Sequence, residues 1–178
     1  TLGQNIAATL HAKKGDGAGA IERAKNRLKR KFFHHRYAGM PLECRGVLAD
    51  YDSRTKSLTV WSSTQMSHEL RSAIVKVLGI DEGRVRVVAP DVGGGFGSKY
   101  ISYPEDVAVA LAAKLLDRPV KWIEDRREHF TSAIQEREQD WTMEIATDDD
   151  GRVLGMRGTL LNDQGAYTPQ GVNLAYNA

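Results

Sequence analysis

Cysteine is almost missing. The 178-residue chain holds only Cys44, so no disulfide can form within it, and a reducing compartment, the cytoplasm, is the expectation. No apolar run approaches the roughly 20 residues that cross a bilayer, which sets aside a membrane-spanning helix. The first residues show no basic stretch followed by an apolar block, so a secretory leader is not expected. An excess of one charge is lacking too: the formal net charge is +2, with 27% charged residues, which forces neither a nucleic-acid nor a membrane-surface partner. Prolines number five, and no internal repeat or low-complexity tract interrupts the chain. What remains is an ordinary globular composition, 41% hydrophobic, and enough length for one domain with a sizeable core. The chain opens at Thr1 and stops at GVNLAYNA, which reads as a piece excised from a longer polypeptide.

Residues 1–28 read as an extended, linker-like lead-in, small and glycine-rich around KKGDGAGA. The stretch IERAKNRLKRKFFHHR then carries seven Lys or Arg against one acid. A nucleic-acid patch would need a stacking platform beyond Phe32 and Phe33, so a charge-guarded edge strand is preferred. In GVLADYDSRTKSLTVWSSTQ, Val47, Ala49 and Tyr51 alternate, as do Leu58, Val60 and Ser62, with a polar turn at 52–57; this predicts a β-hairpin. SHELRSAIVKVLGI predicts a helix capped by Ser67, with Leu70, Ile74, Val77 and Leu78 on one face and Gly79 as its stop. RVRVVAP reads as a short buried strand. YPEDVAVALAAKLLDRP reads as a second helix, with Pro104 at its first position, Glu105 and Asp106 on the positive end of the dipole and Pro119 beyond its end. VKWIED is another strand, and EDRREHF reads on its chemistry as a solvated, ion-paired strand end. Trp141, Met143 and Ile145 alternate ahead of an Asp-Gly turn. Together these predict an α+β fold: a mixed sheet with β-hairpins and two main helices, and room for one βαβ crossover around the glycines at 93–97.

That glycine run, in PDVGGGFGSK, lies between strand and helix as a dinucleotide loop does. The Rossmann spacing fails, because counting from Gly93 puts Ser98 at the third glycine and counting from Gly95 puts Tyr100 there. The P-loop spacing fails as well: Lys99 is in place, flanked by Ser98 and Tyr100 where Gly and Ser or Thr belong. GGGFG still offers consecutive backbone N–H groups ahead of a helix, a nest for an oxyanion or oxo ligand. His34, His35, His68, His129 and Cys44 have no zinc-type spacing, and nothing places a base beside Cys44.

VRVVAPDVGGGFGSK, the alanine-rich helix and RPVKWIEDRREHF, with HHRYAGMPLECRGVLADYD, TVWSSTQMSHELRSAIVKVLGI and NDQGAYTP in the same order, resemble the molybdopterin-binding large subunit of the xanthine oxidase family of molybdenum hydroxylases. The nearest flavour is the large chain of aerobic carbon monoxide dehydrogenase. The resemblance covers residue 29 onward, and the residues before it more weakly, and implies that 29–178 is the first part of the molybdopterin-binding domain. It implies cofactor binding by Gln65, Gly94, Gly95, Phe96 and Gly97, with Gln65 and Phe96 near the molybdenum and its oxo or sulfido ligands. Purine-oxidising members carry an acid directly after the loop lysine. Here that position is Tyr100, a substrate-side candidate, so an aldehyde, an aromatic heterocycle or carbon monoxide is expected rather than a purine.

The implied cofactor is molybdenum–molybdopterin in its cytosine dinucleotide form. The implied partners are an FAD-binding medium subunit and a small subunit with 2Fe-2S clusters, and no nucleic acid. The family's glutamate base lies far toward the C-terminus of a much longer chain. No catalytic residue is therefore assigned among Glu43, Glu105, Glu124, Glu128, Glu136 and Glu138, and the isolated chain is expected to be inactive, to hold no cofactor and to self-associate through uncovered surface. The alternatives are a non-catalytic phosphate- or nucleotide-binding module built on the GGGFG loop, and a fragment that folds but binds nothing.

Overall fold

The computed structural model describes residues 5–135 and 138–165. Its elements are α1 (Gly17–Arg23), β1 (Asn26–His34), β2 (Gly46–Asp52), β3 (Ser57–Ser62), α2 (Ser67–Leu78), β4 (Val85–Val88), α3 (Pro104–Leu116), β5 (Val120–Ile123), α4 (Arg126–Ser132), β6 (Glu138–Thr147) and β7 (Val153–Asp163). The chain divides into two compact units, Ala38–Glu136 and a second made of Thr1–Tyr37 with Arg137–Ala178. The α+β class expected from the sequence is what forms.

The terminal unit is an antiparallel sheet in the order β1-β6-β7, with Phe32 opposite Trp141 and Leu28 opposite Ile145. The basic strand is thus an edge strand, as its charge suggests. The expected lead-in departs from this picture after residue 16. Asp16 accepts from the Gly19 N–H and starts α1, whose Ile21 is fully buried. The boundary expected at residue 28 falls inside β1. α1 approaches β7 closely because Gly155 has no side chain; a Cβ there would lie 2.7 Å from the Gly17 carbonyl oxygen.

In the other unit the sheet order is β4-β3-β2-β5. β2 pairs antiparallel with both β3 and β5, while β3 and β4 run parallel. The crossover is therefore β3-α2-β4, ahead of the glycine loop rather than around it. Val47, Ala49, Leu58 and Val60 bury one sheet face against Leu70 and Ile74 of α2 and Val109, Ala110 and Ala113 of α3, as their period-2 and helical spacings require. Two details differ from expectation. The N-cap of α2 is Met66, one residue before Ser67, and Val77 is largely exposed because the buried face stops at Leu70 and Ile74. Gly79 ends α2 in the left-handed conformation, φ 62°.

EDRREHF is not a solvated strand end. Asp125 and Glu128 exchange side-chain to backbone hydrogen bonds and open a helix, α4, which buries Glu124 and His129.

Candidate functional site

β4 ends at Val88, and the chain turns through 90–99 before reaching α3. Three of the loop's glycines are glycine because a neighbour fills the space a side chain would take. A Cβ on Gly93 would lie 2.6 Å from Glu43 Cβ and on Gly94 3.2 Å from Pro41 Cβ, and on Gly95 it would run into Gln65 Cδ. Gly97 faces open space but has φ +81°, a region glycine enters without strain. Phe96 sits at φ 50°, which costs a non-glycine residue about 1–2 kcal/mol, and its ring is exposed.

Glu43 anchors both ends of this loop. Its Oε2 accepts from the Gly93 N–H at 2.8 Å and from Lys99 Nζ at 2.7 Å. Burial pushes the Glu43 carboxyl up, but the Lys99 and Gly93 donors outweigh it and hold the group below its ordinary value. Lys99, 1% exposed, is thereby a strut within the fold, and the P-loop reading fails on geometry as well as on spacing.

The loop's donors separate into two sets. Gly94 N bonds to the Val92 carbonyl, Ser98 N to Gly95, Tyr100 N to Gly97, and Lys99 N to Gln65 Oε1 at 3.1 Å. The N–H groups of Gly95, Phe96 and Gly97 make no hydrogen bond to any described residue. Gln65 lies beside them, its own N–H on the Lys99 carbonyl at 3.0 Å. An N–H can be accepted only by the amide oxygen, so the Lys99 bond fixes which way the Gln65 carboxamide faces. Its NH2 has no partner among the described residues. The fold therefore gathers Gln65, Gly94, Gly95, Phe96 and Gly97 into one patch, with the half-exposed Tyr100 next to it. No group of His, Cys, Asp and Glu that could hold a metal ion occurs among the described residues. Four neutral donors with no acceptor among the described residues suit an anionic group that brings its own metal ligands.

Behind the loop lies a buried charged network that the sequence motifs do not mark. Arg45 donates to Glu124 through Nε at 2.9 Å and Nη2 at 2.5 Å, and its backbone N–H reaches the same carboxylate at 3.0 Å. Its guanidinium lies 3.6 Å from the Tyr103 ring centroid. Burial pushes Glu124 up, yet the Arg45 and His129 donors overcome it and bring the carboxyl down to about 2. His129 faces Glu124 through Nδ1 and the Gly39 carbonyl through Nε2, both at 2.8 Å. Asp106, which receives Ser62 Oγ at 2.8 Å, is pushed above its ordinary value by burial. The signal that could have located part of this network is the Asp-x-x-Glu spacing of Asp125 and Glu128, a capping box. Of the six glutamates considered as bases, Glu43 and Glu124 are committed to these structural contacts, and Glu136 lies outside the described residues. NDQGAYTP likewise passes outside them from residue 166.

An α+β unit that presents main-chain donors and one carboxamide, with no metal-ligating cluster among the described residues, is suited to an anionic bound group. The family model of the molybdopterin cofactor-binding domain matches residues 1–178, and the chain belongs to that family. The matched span includes the stretch before residue 29. The chain is 40% identical over 163 residues to the nicotine 6-hydroxylase large subunit of Paenarthrobacter nicotinovorans, covering 92% of this chain and 20% of that protein. It is 38% identical over 135 residues to the carbon monoxide dehydrogenase large chain of Hydrogenophaga pseudoflava, covering 76% and 17%. The crystal structure of quinoline 2-oxidoreductase from Pseudomonas putida 86 superposes with a TM-score of 0.75 at 37% identity, covering 84% of this chain and 19% of that one. The chain thus spans about a fifth of the length of these relatives. They lend no support to the alternative of a non-catalytic phosphate- or nucleotide-binding module.

Proposed function

We propose that this chain is the first part of the cofactor-binding region of a molybdenum hydroxylase large subunit, and that the Gly95–Phe96–Gly97 amides and the Gln65 NH2 hold the molybdenum–molybdopterin group. The observation that carries this is the set of three consecutive N–H groups without an acceptor among the described residues, beside a carboxamide whose oxygen is already engaged. When bound, the cofactor supplies two-electron oxidation of the substrate. The chain's own residues bind and orient it: the amides and Gln65 donate, Gly94 and Gly95 permit the close packing, and Glu43 with Lys99 keeps the loop in shape. The pterin carries a cytosine dinucleotide, and the large subunit works in the cytoplasm with an FAD-binding subunit and a 2Fe-2S subunit. No helix among the described residues is long and apolar enough to cross a membrane.

Tyr100, in place of an acid after Lys99, disfavours a purine substrate. The names of the nicotine and quinoline enzymes support an aromatic N-heterocycle, with an aldehyde or carbon monoxide as the other members of the class. The test is molybdenum content of the purified full-length protein, wild type against Gly95→Ala. Stoichiometric metal in the wild type, lost at least several-fold in the variant, is expected. A wild type without molybdenum refutes the reading, and a variant that retains it all refutes the loop as the site.

A further inference from the structure

The segment from Gly39 to Arg45 runs behind the glycine loop as a strap, and each alternate residue touches the loop or what supports it. A Cβ on Gly39 would lie 3.3 Å from Ser98 Cβ and 3.5 Å from the Phe96 carbonyl oxygen, so the strap backbone abuts the loop there. Pro41 packs on Gly94, and Glu43 binds Gly93 and Lys99. The strap is held in turn by α4. His129 donates through Nε2 to the Gly39 carbonyl, while Arg126, one turn earlier, donates through Nη2 to the Pro41 and Leu42 carbonyls. His129 is 1% exposed and lies between two oxygen acceptors, the Glu124 carboxylate and the Gly39 carbonyl. Glu124 is itself fixed by Arg45, at the far end of the same strap.

We propose that His129 and Arg126 are positioning residues for the glycine loop: through the strap they hold the Gly95, Phe96 and Gly97 amides in one fixed presentation. This rests on the reading of those amides as the cofactor's donors. Neither side chain hydrogen-bonds to the loop itself. They act one layer back, on the carbonyls of the residues that touch it. A scaffold of this kind has reason to be charged and directional, because apolar packing alone would let the strap slide.

The experiment compares two variants that each keep one half of the imidazole. Gln reproduces the Nε2 donor and Asn the Nδ1 donor, so His129→Gln keeps the Gly39 contact and His129→Asn keeps the Glu124 contact. Hydrogen exchange is followed by mass spectrometry on peptides covering 39–45 and 90–100, against α2 and α3 as references, in the full-length protein. The expected result for His129→Asn is exchange of the bonded loop amides (Gly93, Ser98, Lys99 and Tyr100) faster by about tenfold, the loss of one buried hydrogen bond, with the α2 and α3 peptides unchanged. His129→Gln should stay within about twofold of wild type. Arg126→Met leaves the imidazole in place and should show a smaller change confined to the same loop. Equal acceleration of loop and helices in both histidine variants marks a merely structural role and overturns the proposal. If His129→Asn does not fold, Arg126→Met decides, and an unchanged loop there overturns it too. Molybdenum content is measured alongside: a metal-free wild type whose loop responds as expected would sink the cofactor reading and leave the positioning intact.

Discussion

Glutamine at position 124 isolates the buried carboxylate. In the wild type Glu124 is 2% exposed and accepts from Arg45 at three atoms and from His129, which carries its pKa from 4.5 down to about 2. A carboxylate depressed in this way adds stability that is complete above its unfolded value and is lost as the pH falls toward the folded one. The gap is worth on the order of 3 kcal/mol, of which about 2 kcal/mol is gone by about pH 3. Glu124→Gln removes this dependence and leaves Arg45 buried without its anion, at a cost of about 3–5 kcal/mol near neutrality. Urea unfolding of both proteins, repeated from about pH 7 to about pH 3, should give a stability difference that is flat down to about pH 5 and then shrinks by about 2 kcal/mol. A difference that does not change with pH would refute the coupling between Glu124 and its donors.

Gln65→Glu keeps an oxygen for the Lys99 N–H and removes the NH2 donor, so thermal stability should hold within about 0.5 kcal/mol while molybdenum retention by the full-length protein falls. Loss of both together would mean that Gln65 serves the fold alone. Gly97→Ala meets no atom but forces a side chain to φ +81°, which should lower stability by about 1 kcal/mol or more in urea unfolding. Lys99→Met strips the Glu43 carboxylate of its buried cation and should raise the Glu43 pKa, visible by carboxyl NMR titration as a midpoint moving up from its present depressed value. The isolated 178-residue chain, passed through gel filtration with the cofactor, should emerge without molybdenum, since one loop and one carboxamide enclose little of a large pterin; metal eluting in stoichiometric amount would contradict this.

The elements that follow a period were legible before the fold. Val47, Ala49, Leu58 and Val60 alternate because one sheet face is buried, and Leu70 with Ile74 repeats every turn for the same reason. Val77 fits that helical repeat equally well and is exposed. Periodicity names a face, whereas the extent of the covering layer decides how much of that face is buried. α1 was missed because a seven-residue segment with two glycines carries little helical propensity. It forms because the Asp16 cap and the burial of Ile21 on β7 supply what propensity does not. The candidate site divides the same way. Four glycines in five residues announced a close approach of backbone to something. Which glycines serve the protein's own packing (Gly93, Gly94 and Gly95) depends on Glu43, Pro41 and Gln65, 30 to 53 positions from the glycines they pack on, while Gly94 and Gly97 also serve a positive φ. No local pattern holds that information.

The charged network extends the same point from shape to energy. Arg45, Glu124 and His129 are costly to bury, and ion pairs of this kind are often replaceable by well-packed apolar side chains at no loss of stability. Stability therefore does not explain why an Arg, a Glu and a His occupy this space. Direction does. Each hydrogen bond of the set ends on a named atom of the strap or of its anchor, the Gly39 carbonyl and the Arg45 N–H among them, and an apolar core has no such terms with which to fix a backbone to a few tenths of an ångström. The unbonded amides of Gly95, Phe96 and Gly97 are useful as donors only if they are already aimed, since a loop that had to be ordered on binding would lose affinity to the entropy of ordering. The buried charges behind the loop and the open donors in front of it are thus two halves of one requirement, and a change in the first should be read out in the second.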